Sequence, residues 1–213
     1  MNQLRQYIRQ ILLTEGAKSW HAFPEDVVIV IEDLESEAWI YYAVVDSATG
    51  LPNANSSRYR ALSTTKDKRE EEIWGRIVIT QLGARAKDYG QCGGAMKVDV
   101  SRTAEGWGPL LYDVAIEYAT MNANGLIPDR HSVSMAANHV WKYYMRNRKD
   151  VTAYQLDDPY NRLTPEDEDN CDQGVAMEDE GAYDWQESPL SKRYTKEPMT
   201  MNTLKAAGKL VIL

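Results

Sequence analysis

Cysteine is nearly absent from this chain: among 213 residues only Cys92 and Cys171 carry a thiol. Two cysteines so far apart make neither a disulfide framework nor a metal-ligand spacing. Histidine is scarce as well. His21, His131 and His139 fall into no HxxxH or HExxH pattern, and His139 reads as a helix-surface or packing residue. No apolar run approaches the roughly 18 residues of a membrane span. The longest aliphatic run near the start, Val27 to Ile31, is too short for the core of a signal peptide. An excess of positive charge is missing too. The net charge is −8 and the pI about 5.0, which disfavours nucleic-acid binding through phosphates. Together these absences predict a cytoplasmic protein without a membrane partner.

What is present is an ordinary globular composition, 43 % hydrophobic and 26 % charged, in a chain long enough for one well-buried domain with an appendage. The rest of the chain is organised around Met96 to Gly125. Met96, Val98 and Val100 alternate with Lys97 and Asp99, which predicts a strand with Asp99 facing opposite to the two valines. Leu110, Leu111, Val114, Ala115, Tyr118 and Ala119 recur at three-and-four spacing, which predicts an amphipathic helix. Pro109 suits its first turn and Gly125 its end. Thr103 to Gly108 joins the two elements. Its glycines would let backbone N–H groups point outward at the helix start, where the helix dipole also favours an anion such as a phosphate. A tight strand–helix connection with no ligand has the same spacing.

Elsewhere, residues 2–15 carry the pattern of a helix, and 26–32 and 38–46 that of an antiparallel strand pair. Residues 47–55 read as turn and loop, 66–72 as a solvated charge run and 73–82 as a third strand before a loop at 83–94. After Gly125 come a short extended piece at 126–128 and a helix capped by Ser132 or Ser134. That helix is expected to bury Ala137, Val140, Trp141 and Tyr144. A further strand is predicted at 151–156. From Asp157 to Glu187 there are twelve acidic residues and one arginine, the composition of an irregular arm. DEDNCDQG within it does not match the EF-hand spacing. The closing LVIL would add a strand.

In order, antiparallel strands, a glycine turn, a helix, a short strand and a second helix resemble the GNAT superfamily of N-acetyltransferases. The turn motif of that family is Gln or Arg, two residues, Gly, one residue, then Gly or Ala. Here Gly106 and Gly108 match, Thr103 holds the first position and Arg102 stands one place early. The second helix of the family often reads Asn, two residues, Ala, three residues, Tyr; here those positions are Ser134, Ala137 and Trp141. The wording also resembles GNAT-like proteins of tailed bacteriophages. The resemblance implies a mixed, mostly antiparallel α+β domain over 1–156 and an acidic C-terminal arm and tail over 157–213.

It also implies an acetyl-CoA-dependent N-acyltransferase. Main-chain N–H groups of Arg102, Thr103, Ala104, Glu105, Gly106, Trp107 and Gly108 would hold the pyrophosphate in a gap between the fourth and fifth strands. An N–H near Val100 would polarise the thioester, and Ser134 would sit beside the cofactor. Because indole is no acid near neutral pH, Tyr144, one turn beyond Trp141, either takes the place of the family's acidic Tyr or belongs to the core. Asp99 and Glu32 are candidate bases by position, or charges on a solvated face. The acceptor would be an amine on a small molecule or a protein. The alternative is a GNAT-fold binding protein without catalysis, a homodimer or virion component in a phage-infected host cytoplasm.

Overall fold

The computed structural model describes residues 17–53, 73–81, 94–129, 133–156 and 187–213. The helical pattern at 2–15, the charge run at 66–72, both cysteines, Ser132 and the acidic arm up to residue 186 lie outside the described residues. The architecture is mixed α/β: one mostly antiparallel sheet flanked, among the described residues, by three helices, consistent with the GNAT-like arrangement expected.

β1 (Val27–Asp33) and β2 (Glu37–Val45) form the predicted hairpin, with Ile29 opposite Tyr42 and Ile31 opposite Ile40. A short β3 (Pro52–Asn53) follows on β2. β4 (Gly75–Gln81) pairs antiparallel with β2 and with β5 (Met96–Thr103). α1 (Gly108–Asn122) crosses back to β6 (Leu126–Ile127), which lies parallel to β5. α2 (Met135–Asn147) then leads to β7 (Val151–Gln155). Three elements come from the last 27 residues, 187–213: β8 (Lys192–Lys196), α3 (Met199–Ala206) and β9 (Leu210–Ile212). The sheet order is β7-β8-β6-β5-β4-β2-β1-β9.

The tail is therefore not an appendage on a completed 1–156 domain. β8 sits between β6 and β7, and β9 adds in parallel to β1 at the opposite edge. β9 is the strand expected from LVIL, whereas β8 and α3 have no counterpart in the sequence reading. Between those two strands the chain crosses behind α1, against which α3 packs. This explains why α1 is buried nearly all round, from Leu110 to Ala119, and not along one stripe only. Leu111, Val114, Ala115 and Ile116 join Ile29, Ile31, Ile40, Ile77 and Ile79 in the main core. Val28, Val30, Tyr41 and Ala43 are buried on the other face of the sheet.

α1 stops at Asn122 with Ala123 as its cap residue, and Gly125 closes the turn that follows, its N–H donating to the Ala119 carbonyl at 3.1 Å. Gly125 stands at φ +101°, and a Cβ there would lie 2.6 Å from the carbonyl oxygen of Tyr194. Glycine is required because β8 passes this close to the backbone. In α2, Trp141 and Tyr144 are buried, while Ala137 and Val140 stay partly exposed. His139 lies on the exposed side of that helix.

Candidate functional site

β5 starts as the sequence predicts and then departs from it. Val98 pairs with Ile79 but Val100 pairs with Val78, so the register slips and Asp99 has no opposite number on β4. Such a bulge breaks the period-two rule by one residue. Asp99 therefore does not simply face opposite to both valines. Met96 and Val98 face α1 with Ile79, whereas Val100 pairs with Val78 on the other face. The Asp99 side chain is 52 % exposed and lies 4.0 Å from Lys97. Glu32, at the end of β1, is approached at 3.5 Å by the Tyr41 hydroxyl, on a neighbouring strand and well away from β5 in the sheet order.

The slip also decides where the end of β5 points. Ser101 and Thr103 turn toward α1: Ser101 hydrogen-bonds the Tyr112 hydroxyl, and the Thr103 Oγ1 lies 3.0 Å from where a Cβ on Gly108 would stand. Arg102 pairs with Arg76 on the opposite face. The first position of the turn motif thus carries a small hydroxyl tucked under the helix start, and the neighbouring guanidinium is aimed away from it.

Beside β5 the sheet opens. β5 pairs with β6 only through Met96↔Leu126 and Lys97↔Ile127, so from Val98 to Thr103 its outer edge has no strand partner among the described residues. That edge runs straight into the turn Ala104 to Trp107. Gly106, at φ +79°, makes the reversal that L side chains resist. Not every N–H of the turn is available. That of Ala104 donates to the Trp74 carbonyl at 2.9 Å and that of Trp107 to the Ala104 carbonyl at 3.1 Å. Both were expected to face a ligand; the segment leading into β4 takes the first and the tight turn itself takes the second. The N–H groups of Glu105, Gly106 and Gly108 have no acceptor among the described residues. The Trp107 side chain does not block the turn. It is buried among Phe23 and Tyr42, whose hydroxyl donates to the Trp107 carbonyl at 2.7 Å.

On the outer side of the turn, Lys18 donates its backbone N–H to the Gly106 carbonyl at 2.9 Å. A cavity of about 280 Å³ opens there. Ala17, Lys18 and Ser19 form one wall, the first turn of α1 another, and Val140, Tyr143, Tyr144 and Arg148 of α2 and its end the third.

Tyr144 lies at the back of this cavity with its hydroxyl committed. It donates to Asp113 Oδ1 at 2.7 Å and lies 3.0 Å from the Pro109 carbonyl. Burial, and then the Asp113 charge, push its pKa well above that of a free tyrosine. Asp113 is itself raised by burial, against the opposing pull of Arg148, which stands 2.9 Å away. Arg148 also reaches Asp150 at 2.7 Å and lies over the Tyr144 ring. Trp141, expected from the resemblance at a position where tyrosine is usual, stacks on Tyr194 at 4.8 Å and meets Tyr112 edge-on at 5.2 Å. It is a core residue.

Ser134 caps α2, its hydroxyl accepting from the Ala137 N–H at 3.2 Å. The structure thus sets Gly106 and Gly108 at the turn beyond the open edge of β5, packs Thr103 under α1 and pairs Val100 with β4, keeps Tyr144 in the cavity wall, and sets Asp99 on the exposed bulge. The sequence reading missed Lys18, Asp113 and Arg148. Only the charge of the first and last marked them, because their partners are distant in the chain. Among the described residues no helix is long and apolar enough to cross a membrane. Comparison of the chain with protein-family models, with curated proteins and with solved structures gives no significant match.

Proposed function

We propose that the chain binds an acyl-coenzyme A thioester, acetyl-CoA in the first instance, and transfers its acyl group to an amine. One observation carries this: the edge of β5, unpaired from Val98 on among the described residues, leads without interruption into a glycine turn at the start of a 15-residue helix. A strand edge offers alternating N–H and C=O groups to an extended ligand that itself contains amides. The open N–H groups of Glu105, Gly106 and Gly108, with the dipole of α1 behind them, favour an anion at the end of that edge. A ligand with an amide-bearing arm joined to a pyrophosphate matches both features in that order. A main-chain N–H along the same edge would face the thioester carbonyl as a fixed donor, whereas Val100 itself is paired with Val78 of β4. The amine acceptor must lose a proton to attack, and Asp99, exposed on the bulge, is the nearest carboxylate along β5.

A thermal melt with added acetyl-CoA tests the binding step. At 100 times the dissociation constant the ligand should stabilise the fold by about 2.7 kcal/mol. Gly106→Asp, which puts a carboxylate among the open N–H groups, should abolish the shift. No shift in the parent protein at millimolar ligand ends the proposal. The engaged hydroxyl of Tyr144 favours a second reading, coenzyme binding without transfer. Mass spectrometry separates the two: acetyl-CoA that stabilises the protein but acetylates none of a panel of amines supports the binder.

A further inference from the structure

Two features on either side of the glycine turn remain unexplained by its backbone alone: the turn carries no cation of its own, and a cavity adjoins it. Thr103 is neutral and packed under Gly108, and Arg102 belongs to the other face of the sheet. A pyrophosphate bound there by N–H groups only would lack a charged partner. Lys18 occupies the vacancy from elsewhere in the chain. Its backbone is fixed to the turn by the bond to the Gly106 carbonyl, and its ammonium lies 5.5 Å from the centre of the Trp107 ring. The side chain is exposed, and it forms part of the cavity wall.

We infer that Lys18 is the phosphate-binding cation of this site, and that the cavity it lines receives the end of the coenzyme remote from the thioester. This rests on the acyl-coenzyme A reading above. A pyrophosphate stands in the middle of that ligand. With the amide-bearing arm along β5, the nucleotide leaves the turn past Lys18, which is bonded to Gly106 and lines the cavity. Its lining offers a flat heterocycle bearing phosphate the apolar Leu110 and Val140, the ring of Tyr143 and the Lys18 cation, while the lining Asp113 carboxylate is paired with Arg148. A lysine contacts phosphate as a flexible point charge, so it needs only nearness and not the planar match of an arginine.

The test compares the parent protein with Lys18→Met and Lys18→Arg by calorimetric titration of acetyl-CoA and of acetyl-pantetheine, which has no phosphate. Lys18→Met should bind acetyl-CoA about tenfold more weakly, the worth of one charge-assisted contact. Lys18→Arg should bind within a few-fold of the parent, and the preference for acetyl-CoA over acetyl-pantetheine should shrink in Lys18→Met alone. Raising the salt should weaken the parent more than Lys18→Met. An exposed side chain leaves the ligand-free melting temperature in place, which confirms that the variants are folded. Lys18→Met binding acetyl-CoA as the parent does, with the same salt dependence, overturns the role of Lys18 while leaving the coenzyme reading intact. A parent protein that binds neither thioester overturns both.

Discussion

Around Asp113 the two neighbouring aspartates respond to their surroundings in opposite ways. Asp113 is desolvated and its pKa is raised. Asp150 is more exposed, and the Arg148 guanidinium lowers its pKa from 3.8 to about 2. A folded-state pKa below the unfolded one means that Asp150 adds stability above about pH 3.8, and that this is lost as pH falls toward 2. Asp113 has the other sign: its raised pKa favours the fold below 3.8, and that favour is lost as pH rises through its folded value. Urea midpoints measured between pH 2 and 5 should separate them. Asp150→Asn should lower the midpoint at pH 5 and flatten the acid slope; an unchanged slope would show that the Arg148–Asp150 pair does not titrate with folding. Little of this was readable beforehand. RNRKD in the sequence looks like a solvated helix end, and only the fold brings Asp113 on α1 against Arg148 at the end of α2.

At the scale of elements, α3 begins where α1 allows it to. Pro198 precedes the helix and offers no capping side chain. The carboxylate of Glu117, buried in the middle of α1, accepts the N–H groups of Thr200 at 2.8 Å and Met201 at 2.6 Å, and it pairs with the buried Lys196 ammonium. One side chain therefore caps one helix from another and neutralises the charge at the end of β8. Glu117→Ala would leave Lys196 buried without its main partner and α3 uncapped. A loss of about 3–5 kcal/mol is expected from guanidinium unfolding, as for other broken buried pairs. A loss below about 1 kcal/mol would mean that Lys196 finds adequate compensation in Asp150, 3.8 Å away.

The same contact explains why β8 and α3 escaped the sequence reading while β1, β2, β4, β5, α1 and α2 did not. Those six carry their own signals in local hydrophobic period and turn chemistry. KRYTK has charges at strand positions that are met by partners elsewhere in the chain, Glu117 and Asp150 for Lys196 and the Asn124 carbonyl and the Tyr154 ring for Arg193. The bulge was hidden for a different reason. Val98-Asp99-Val100 alternates perfectly as written, and nothing in those three letters announces the slip. Of the candidate site, the glycine turn was legible from its residues, whereas the engaged N–H groups, the direction of Arg102 and the approach of Lys18 depend on pairings between distant segments.

For the whole molecule, residues 192–212 act as a strap. They enter the sheet between β6 and β7, pass over α1 and fasten at the edge of β1, where the Leu213 N–H donates to the Ile31 carbonyl at 2.9 Å. Ending the chain after Ala206 removes β9 and uncovers one edge of β1 while sparing β8 and the Glu117 cap. The truncated protein should melt cooperatively but several degrees lower, and an unchanged melting temperature would mean that β9 contributes no net stability. The strap also has a consequence in time. While the chain is being synthesised, β6 and β7 exist long before the strand that must lie between them. A nascent chain of 156 residues can pair β1, β2, β4 and β5, but it holds a gap where β8 belongs. Closing that gap demands contacts between segments far apart in sequence, which form slowly. Folding of this domain should therefore finish only once residues 192–212 have left the ribosome.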